Sequence, residues 1–311
     1  MKEFTLNNGN KIPVLGLGTY LSDNNDVYKA VKHAIKNGYR HIDCAYFYGN
    51  EDQVGKAIKE CLEEDIVKRE DLFITSKLWN AYHKYEQVKP ALLKTLNNLD
   101  LEYLDLYLIH WPVATKVDVP TNAEDFISLD EAPIIDTWKA MESLVDDRLV
   151  KNIGVSNFSI KKLKSLLEKD IKIKPVTNQV EVHPYFQQKN LLNFCKEQNI
   201  LLTAYSPLGT SNAKDELLGN LDIIRISEKY NAEPAQVILA WLIEKNIIAI
   251  PKSITPERID KNLVSQYIKL DSNDIHKLNS LDKNHKFIRG DFFALKGSPY
   301  TLENVWDEII N

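Results

Sequence analysis

The sequence has few cysteines and no long apolar run. Its three cysteines, Cys44, Cys61 and Cys195, are too few and too far apart for a disulfide framework or a CxxC metal site, which is typical of a reducing compartment. No apolar run approaches the roughly 20 residues that a membrane helix needs. The first residues, MKEFTLNNGNKIP, lack the apolar stretch of a secretory signal. We therefore expect a cytoplasmic protein that does not enter a membrane.

An excess of positive charge is also absent. The net charge is −5 with a sequence pI of about 5.9, and the most basic segment, KKLKSLLEK, has the period of a helix with one solvated lysine face. No aromatic residues alternate with those lysines, so we expect no nucleic-acid surface. The seven histidines form no HExxH motif and no short Cys/His spacing, so we expect no metal site.

The sequence does contain an alternation of short apolar runs and helix-period segments, which is the pattern of repeated βα units around a parallel sheet. The strand-like runs end at Gly18, Asp43, Lys77, His110, Ser156, Val182, Ser206 and Pro251. No linker rich in Pro, Gly or Ser divides the 311 residues, so we expect one domain, residues 1–311, folded as a (β/α)8 TIM barrel. Asn8-Gly9 between two short runs predicts a β-hairpin that caps the barrel floor.

Four polar side chains stand at or just after the ends of consecutive strand-like runs: Asp43, Tyr48, Lys77 and His110. Strand ends of a parallel barrel meet at one mouth, so these residues are candidates for a single reaction centre. A phenol with a pKa of about 10 is a poor proton donor at neutral pH unless a cation lies beside it. Lys77 would lower the pKa of Tyr48, Asp43 would keep the lysine charged, and His110 would orient a carbonyl oxygen.

Taken singly, each of these residues has an ordinary structural alternative. Asp43 could cap a helix, Tyr48 could be a core ring, Lys77 a rim charge and His110 a satisfied barrel histidine. The prediction of a reaction centre therefore depends on their joint placement at one face of the barrel.

The segments around these positions resemble the aldo-keto reductase family. GYRHIDCAYFYGNEDQVG at 38–55 resembles the first family signature, KNIGVSNF at 151–158 the second and IPKSITPERIDKN at 250–262 the third. SKLW and LIHWP match the segments that carry the lysine and histidine of the family's catalytic tetrad. The resemblance implies an NADPH-dependent carbonyl reductase without a metal, in which hydride passes to the carbonyl carbon while Tyr48 protonates the oxygen.

The same resemblance implies which residues bind NADPH. Tyr205 would stack on the nicotinamide, and the turn at 206–209 would give backbone amides to the pyrophosphate. Lys252 and Arg258, near a helix start, suit a 2′-phosphate and favour NADP over NAD. The full expected set is Gly18, Thr19, Ser156, Asn157, Gln179, Tyr205, Ser206, Leu208, Gly209, Lys252, Ser253, Thr255, Arg258 and Asn262. Without the motifs, a tight turn, a buried ring and a surface helix would explain the same residues.

Departures from the family pattern concern mainly the substrate. Phe47 stands where xylose reductases of the family usually carry an aspartate, and Tyr20 where many aldose and aldehyde reductases have tryptophan. With Trp79 and Trp111 they predict an apolar, aromatic pocket for a small-molecule carbonyl, with a pentose less favoured. Lys261 stands where many members have a glutamate beside the adenine. The loop at 210–220 looks shorter than in those reductases.

Some alternatives stay open at this level. The tail at 284–311 is expected to fold over the mouth, but Phe292, Phe293 and Tyr300 could either line the pocket or pack the tail against the barrel exterior. Lys77 could serve a Schiff-base lyase, and an NADPH-sensing barrel without turnover, as proposed for the potassium-channel β-subunits of the family, is a further alternative. We expect a monomer or weak dimer.

Overall fold

The computed structural model describes residues 1–210 and 214–307, and a parallel sheet of short strands forms its centre. The strands are β1 Glu3–Thr5, β2 Lys11–Pro13, β3 Leu17–Gly18, β4 His41–Asp43, β5 Phe73–Leu78, β6 Leu106–Ile109, β7 Ala114–Thr115, β8 Phe126–Ile127, β9 Ile153–Ser156, β10 Thr177–Glu181, β11 Leu201–Tyr205 and β12 Ile247–Ala249.

The central sheet closes into a barrel. Its order is β3, β4, β5, β6, β9, β10, β11, β12, and each neighbouring pair is parallel. The first and last strands also meet, because the Gly16 amide donates to the Ala249 carbonyl at 2.9 Å and the Gly18 amide donates to the Pro251 carbonyl at 3.1 Å. A Cβ on Gly18 would lie 2.9 Å from the Ile250 carbonyl oxygen, so the closure requires a glycine there. The (β/α)8 prediction is confirmed.

Helices cover the outside of the barrel. They are α1 Asn24–Lys36, α2 Glu51–Glu63, α3 Tyr85–Leu99, α4 Ile134–Asp146, α5 Ile160–Leu167, α6 Lys189–Glu197, α7 Lys214–Leu218, α8 Leu221–Lys229, α9 Pro234–Glu244, α10 Pro256–Val264, α11 Ser272–Asn279 and α12 Leu302–Trp306. Most bury one apolar stripe, as α1 does with Val27, Val31 and Ile35. In the described residues, no helix is long and apolar enough to cross a membrane.

Two helices depart from the ordinary surface pattern. α9 is buried from Gln236 to Ile243, so its apolar residues continue around the helix without an amphipathic period. α2 approaches the end of α3 at Gly55, where a Cβ would lie 2.5 Å from the carbonyl oxygen of Leu99. Gly55 therefore sets the distance between these helices.

The amino-terminal hairpin lies at the floor of the barrel. β1 and β2 pair antiparallel around a turn in which Gly9 has φ +88°. Leu6 and Ile12 are buried in one cluster with Leu108 and Ile248 of the barrel strands. This packing confirms the predicted cap.

Long segments gather at the opposite end of the barrel. The segment at 112–130 contains the antiparallel pair β7 and β8. The tail packs on this pair, because the Tyr300 hydroxyl donates to the Ile127 carbonyl at 2.7 Å and accepts from the Ala114 amide at 2.9 Å. In the 210–220 loop, residues 211–213 lie outside the described residues, and α7 follows them.

Candidate active site

The structure brings the four candidate catalytic residues together at the mouth of the barrel. Asp43 ends β4, Lys77 lies in β5, His110 follows β6, and Tyr48 ends a short 3-10 helix at Tyr46–Tyr48. The Lys77 ammonium donates to Asp43 Oδ1 and, at 3.3 Å, to the Tyr48 hydroxyl. The rings of Tyr48 and His110 meet edge to face with centroids 5.9 Å apart.

Lys77 and Asp43 form a buried ion pair, with 0% and 2% of their side chains exposed. Lys77 also donates to the Cys44 carbonyl at 2.7 Å, and the Gln179 amide donates to Asp43 Oδ2 at 2.7 Å. Burial on its own disfavours the ammonium, but Asp43 and Tyr48 outweigh it and hold the pKa of Lys77 above its ordinary value. Lys77 therefore stays charged at neutral pH.

Tyr48 keeps its proton until a reaction removes it. Desolvation by the surrounding protein raises the pKa of Tyr48 to about 12, Lys77 lowers it, and Asp43 raises it again. Lys77 thus lowers the pKa of Tyr48, as expected from the sequence, but desolvation raises that pKa by more. The result is a phenol that is fully protonated at neutral pH and has a cation in position to stabilise its phenolate.

His110 is a neutral histidine. Burial lowers the pKa of His110 well below its ordinary value, and the nearby charge of Lys77 lowers it further. Its backbone carbonyl accepts a hydrogen bond from Asn157 Nδ2 at 2.9 Å, which ties the end of β6 to the next barrel strand. A neutral imidazole can donate a hydrogen bond to a carbonyl oxygen without adding charge to the site.

Aromatic side chains surround this group. Phe47 stacks on Trp79 with ring centroids 3.7 Å apart and an interplanar angle of 14°. Tyr20 is 46% exposed, and its ring centroid lies 5.0 Å from that of Tyr48. Trp111, the fourth residue of the expected pocket, is buried at the junction with the tail.

The tail aromatics divide between the two roles that the sequence left open. Phe293 and Tyr300 are buried in a cluster with Trp111, so they pack the tail onto the barrel. Phe292 is 52% exposed and lies edge to face with Trp111 at 5.8 Å. Phe292 is therefore available to a molecule that reaches this side of the mouth.

A polar network behind Trp79 was not predicted. The Trp79 indole donates to the Asp118 carbonyl at 2.8 Å, and the Tyr46 hydroxyl donates to Asp118 Oδ2 at 3.1 Å. Lys94 and Tyr82 both donate to the Tyr46 hydroxyl, at 2.9 and 3.2 Å. The network joins three segments whose sequences carry no motif that pairs them, and it fixes the wall on which Phe47 stacks.

Residues expected to bind the nicotinamide meet at the ends of β9, β10 and β11. The Tyr205 hydroxyl donates to Asn157 Oδ1 at 2.7 Å, and the Ser156 hydroxyl donates to the Gln179 carbonyl at 2.8 Å. Asn157 and Ser206 have φ of +63° and +45°, a left-handed conformation that is uncommon outside glycine and is frequent at functional sites. Sequence reasoning named these residues but not their backbone conformation.

The first loop and the end of β12 lie side by side. Gly18 ends β3, and the Thr19 hydroxyl donates to the Asp43 carbonyl at 3.0 Å. The Lys252 ammonium donates to the Leu21 carbonyl at 3.0 Å, so the lysine side chain extends across to the first loop. Leu208 and Gly209 follow β11, and Gly209 has φ +83°.

The residues expected at the adenosine end lie at the start and along one side of α10. Ser253 Oγ accepts from the Thr255 amide at 3.2 Å just before the helix. Arg258 is exposed in the first turn, and Asn262 is buried one turn later. Lys261 forms an ion pair with Glu233 at 2.8 Å, so its charge is directed toward α9.

Comparison with known proteins agrees with this geometry. The Aldo/keto reductase family model matches residues 14–283. An aldo/keto reductase of Synechocystis sp. is 47% identical over 319 residues, covering 99% of this chain and 97% of the relative. The proteins named aldo-keto reductase family 1 member A1 from Gallus gallus and Homo sapiens are each 44% identical over 293 residues, covering 91% of this chain and 89% and 90% of the relatives. The chain therefore belongs to the aldo/keto reductase family, whose members are oxidoreductases that act on carbonyl compounds with a nicotinamide cofactor.

Proposed function

We propose that this protein reduces aldehydes or ketones to alcohols with NADPH and that Tyr48 is the general acid. The observation that carries the proposal is the contact between the Tyr48 hydroxyl and the buried Asp43–Lys77 pair, with Lys77 Nζ 3.3 Å from Tyr48 Oη. When bound, NADPH supplies the hydride that reduces the carbonyl carbon. The side chains of this protein bind the oxygen and deliver the proton.

Proton delivery follows from the charges around Tyr48. As the carbonyl oxygen gains negative charge, Tyr48 Oη donates its proton to that oxygen, and neutral His110 donates a hydrogen bond that orients it. Lys77 stabilises the phenolate that remains, and this stabilisation grows as the proton leaves because the phenolate charge develops beside a buried ammonium. Asp43 keeps Lys77 charged, and Gln179 keeps Asp43 oriented through its 2.7 Å hydrogen bond.

The other half of the mouth fits a nicotinamide dinucleotide. Tyr205 presents a ring whose hydroxyl is fixed by Asn157. The left-handed residues Ser206 and Gly209 bend the backbone so that a phosphate can approach it closely. Arg258, exposed in the first turn of α10, and Lys252, just after β12, are the cations proposed to hold a 2′-phosphate, which favours NADP over NAD.

The charge state of Lys77 argues against Schiff-base chemistry. An amine must be neutral to attack a carbonyl, whereas Asp43 and Tyr48 hold the pKa of Lys77 above its ordinary value. Borohydride trapping with an aldehyde should therefore give no adduct on Lys77. A sensor without turnover would show no consumption of NADPH in the assay below.

Tyr48→Phe tests the proton donor. We expect kcat for aldehyde reduction to fall by about 10²–10⁴, the usual contribution of a general acid, while the Kd for NADPH stays unchanged. Tyr85→Phe, on the exposed surface of α3, is the matched control and should keep the wild-type kcat. A Tyr48→Phe enzyme that binds NADPH normally and reduces aldehydes near the wild-type rate would show that the acid is another group.

Lys252→Met and Arg258→Met test the cofactor preference. Each should weaken NADPH binding roughly 10- to 100-fold, because a charge-assisted hydrogen bond contributes about 1.5–3 kcal/mol, and should leave NADH binding unchanged. Lys269→Met, an exposed lysine after α10, is the control. Fluorescence titration gives both affinities, and equal wild-type affinity for NADH and NADPH would refute the 2′-phosphate assignment.

A further inference from the structure

A buried carboxylate at the end of β10 holds the beginning of the C-terminal tail. Glu181 is 0% exposed, and its Oε1 accepts from the Phe287 amide at 2.7 Å and from His183 Nε2 at 2.9 Å. Its Oε2 accepts from the Ile288 amide at 2.9 Å. Burial favours the neutral acid, but His183, the charge of Lys286 and the Phe287 amide outweigh it and keep the pKa of Glu181 below its ordinary value. The carboxylate is therefore ionised, and both of its oxygens accept hydrogen bonds.

The anchored residues lead directly to the substrate side of the mouth. The Phe287 ring stacks on His183 with centroids 4.6 Å apart, which fixes the direction of the tail as it leaves Glu181. Gly290, with φ +83°, then turns the chain beside Trp111. Phe292 comes two residues later, half exposed and edge to face with Trp111. The position of Phe292 thus depends on a turn that begins a few residues after the Glu181 contacts.

The last described residues of the tail, Trp306 and Asp307, have separate attachments. Lys162 of α5 forms an ion pair with Asp307 at 2.6 Å, and the Trp306 indole donates to the Arg289 carbonyl at 2.6 Å. Loss of the Glu181 contacts therefore releases the tail at Phe287 and Ile288. Arg289 stays bonded to Trp306, and Asp307 stays paired with Lys162, so the tail loosens at its entry to the mouth without leaving the barrel.

We propose that Glu181 is a positioning residue for the substrate: by holding the amides of Phe287 and Ile288 it fixes Phe292 beside Trp111, and so sets the KM of carbonyl compounds that carry a bulky apolar group. This inference rests on the proposed reductase function, because KM is measured by carbonyl reduction. Small aldehydes reach the tetrad and the Phe47–Trp79 wall without extending to Phe292. Their KM and kcat are independent of Glu181.

Glu181→Gln is the informative substitution because it changes the hydrogen-bonding group at nearly constant volume. A carboxylate offers two acceptor oxygens, whereas the glutamine amide replaces one of them with a donor that faces a backbone N–H or the histidine. Ile288→Pro tests the same contact from the tail, since proline has no N–H to donate to Oε2. The two variants perturb the contact from opposite sides.

The chain supplies a matched control in Glu142. This glutamate of α4 is also buried, and its Oε1 accepts from the backbone amides of Lys172 and Ile173 at 2.6 and 2.8 Å. Both amides donate to one oxygen, so the glutamine of Glu142→Gln can still accept from them through its Oε1, and only the buried negative charge is lost, on a loop that does not belong to the tail. Any general effect of replacing a buried glutamate by glutamine appears in both variants.

The experiment compares wild type, Glu181→Gln, Ile288→Pro and Glu142→Gln with NADPH and two aldehydes, propanal and biphenyl-4-carbaldehyde. We expect Glu181→Gln and Ile288→Pro to raise KM for the biphenyl aldehyde roughly 10-fold or more, which corresponds to the loss of about 1.4 kcal/mol or more. KM and kcat for propanal, and the Kd for NADPH, should stay within twofold of wild type. Limited proteolysis should cut the 284–300 segment faster in these two variants than in Glu142→Gln.

Two results would overturn the inference. One is a folded Glu181→Gln enzyme with wild-type KM for the biphenyl aldehyde, and the other is an equal rise in KM for both aldehydes. Failure of the proposed function looks different, because the wild type would then reduce neither aldehyde. In that case proteolysis of the 284–300 segment still decides whether Glu181 fixes the tail.

Discussion

The buried Asp43–Lys77 pair predicts an effect on stability as well as on activity. Asp43→Asn would leave the fully buried Lys77 ammonium with neutral partners only, among them the Cys44 carbonyl and the Tyr48 hydroxyl. Removing one member of a buried ion pair costs about 3–5 kcal/mol, since an uncompensated charge remains in the interior. We therefore expect Asp43→Asn to lower the free energy of unfolding at pH 7 by about that amount and to reduce kcat.

The pH dependence of this loss has a definite sign. In the wild type the pKa of Lys77 is raised, so its stabilising contribution is present below the unfolded-state pKa of about 10.4 and is lost as pH rises through the folded-state pKa. In Asp43→Asn, burial is the largest remaining effect and lowers the pKa of Lys77 below the unfolded value. The unfolded variant then binds more protons than the folded one, so its stability rises with pH. The difference between wild type and variant should shrink from pH 7 to pH 10.

Urea unfolding at pH 7, 8.5 and 10 measures this difference. The double variant Asp43→Asn/Lys77→Met should recover most of the stability at pH 7, because neither charge is then buried. Asp100→Asn breaks the exposed pair with Lys59 and serves as the control, with little change at pH 7 or 8.5. A difference that stays constant or grows with pH, or a double variant no more stable than Asp43→Asn, would refute the reasoning.

Two further predictions concern packing. Tyr46→Phe removes the hydroxyl that joins Lys94 to Asp118. We expect the free energy of unfolding in urea to fall by about 1–2 kcal/mol and the KM for aromatic aldehydes to rise. No change in either quantity would contradict a role of Tyr46 in supporting the Phe47–Trp79 wall. Gly55→Ala gains up to about 1 kcal/mol of helix propensity, but its Cβ would lie 2.5 Å from the Leu99 carbonyl oxygen, and such overpacking costs about 1–3 kcal/mol. We expect a lower thermal midpoint, and a higher one would mean that α2 and α3 are not packed this closely.

The barrel and the meeting of the four polar residues were predictable for a physical reason. Alternating strand and helix periods specify a parallel sheet, and the topology of a closed parallel barrel sends all strand ends to one face. Asp43, Lys77 and His110 occupy those ends in the sequence itself, so their proximity follows without knowledge of any contact.

The residues that support the site were not predictable because their partners are remote in sequence. Glu181 lies in TNQVEV, which has the pattern of any buried strand, and its partners Phe287 and Ile288 come more than 100 residues later. Asp118 lies in a segment with no regular period. The net pKa of Tyr48 was also out of reach, because it depends on desolvation by residues from several strands. Contacts of this kind are set by tertiary packing rather than by local pattern.

The mouth of the barrel is divided between two arcs of the wall. β4, β5 and β6, with the segments that follow β4 and β6, carry the proposed proton-transfer residues. β9 to β12 and the segments that follow them carry most of the residues proposed to bind NADPH. The hydrogen bond from Gln179 to Asp43 crosses from one arc to the other. The Asn157 amide makes a second crossing to the His110 carbonyl at 2.9 Å. A change of cofactor preference engineered on β9 to β12 would therefore leave the proton-transfer residues in place only if Gln179 and Asn157 are kept.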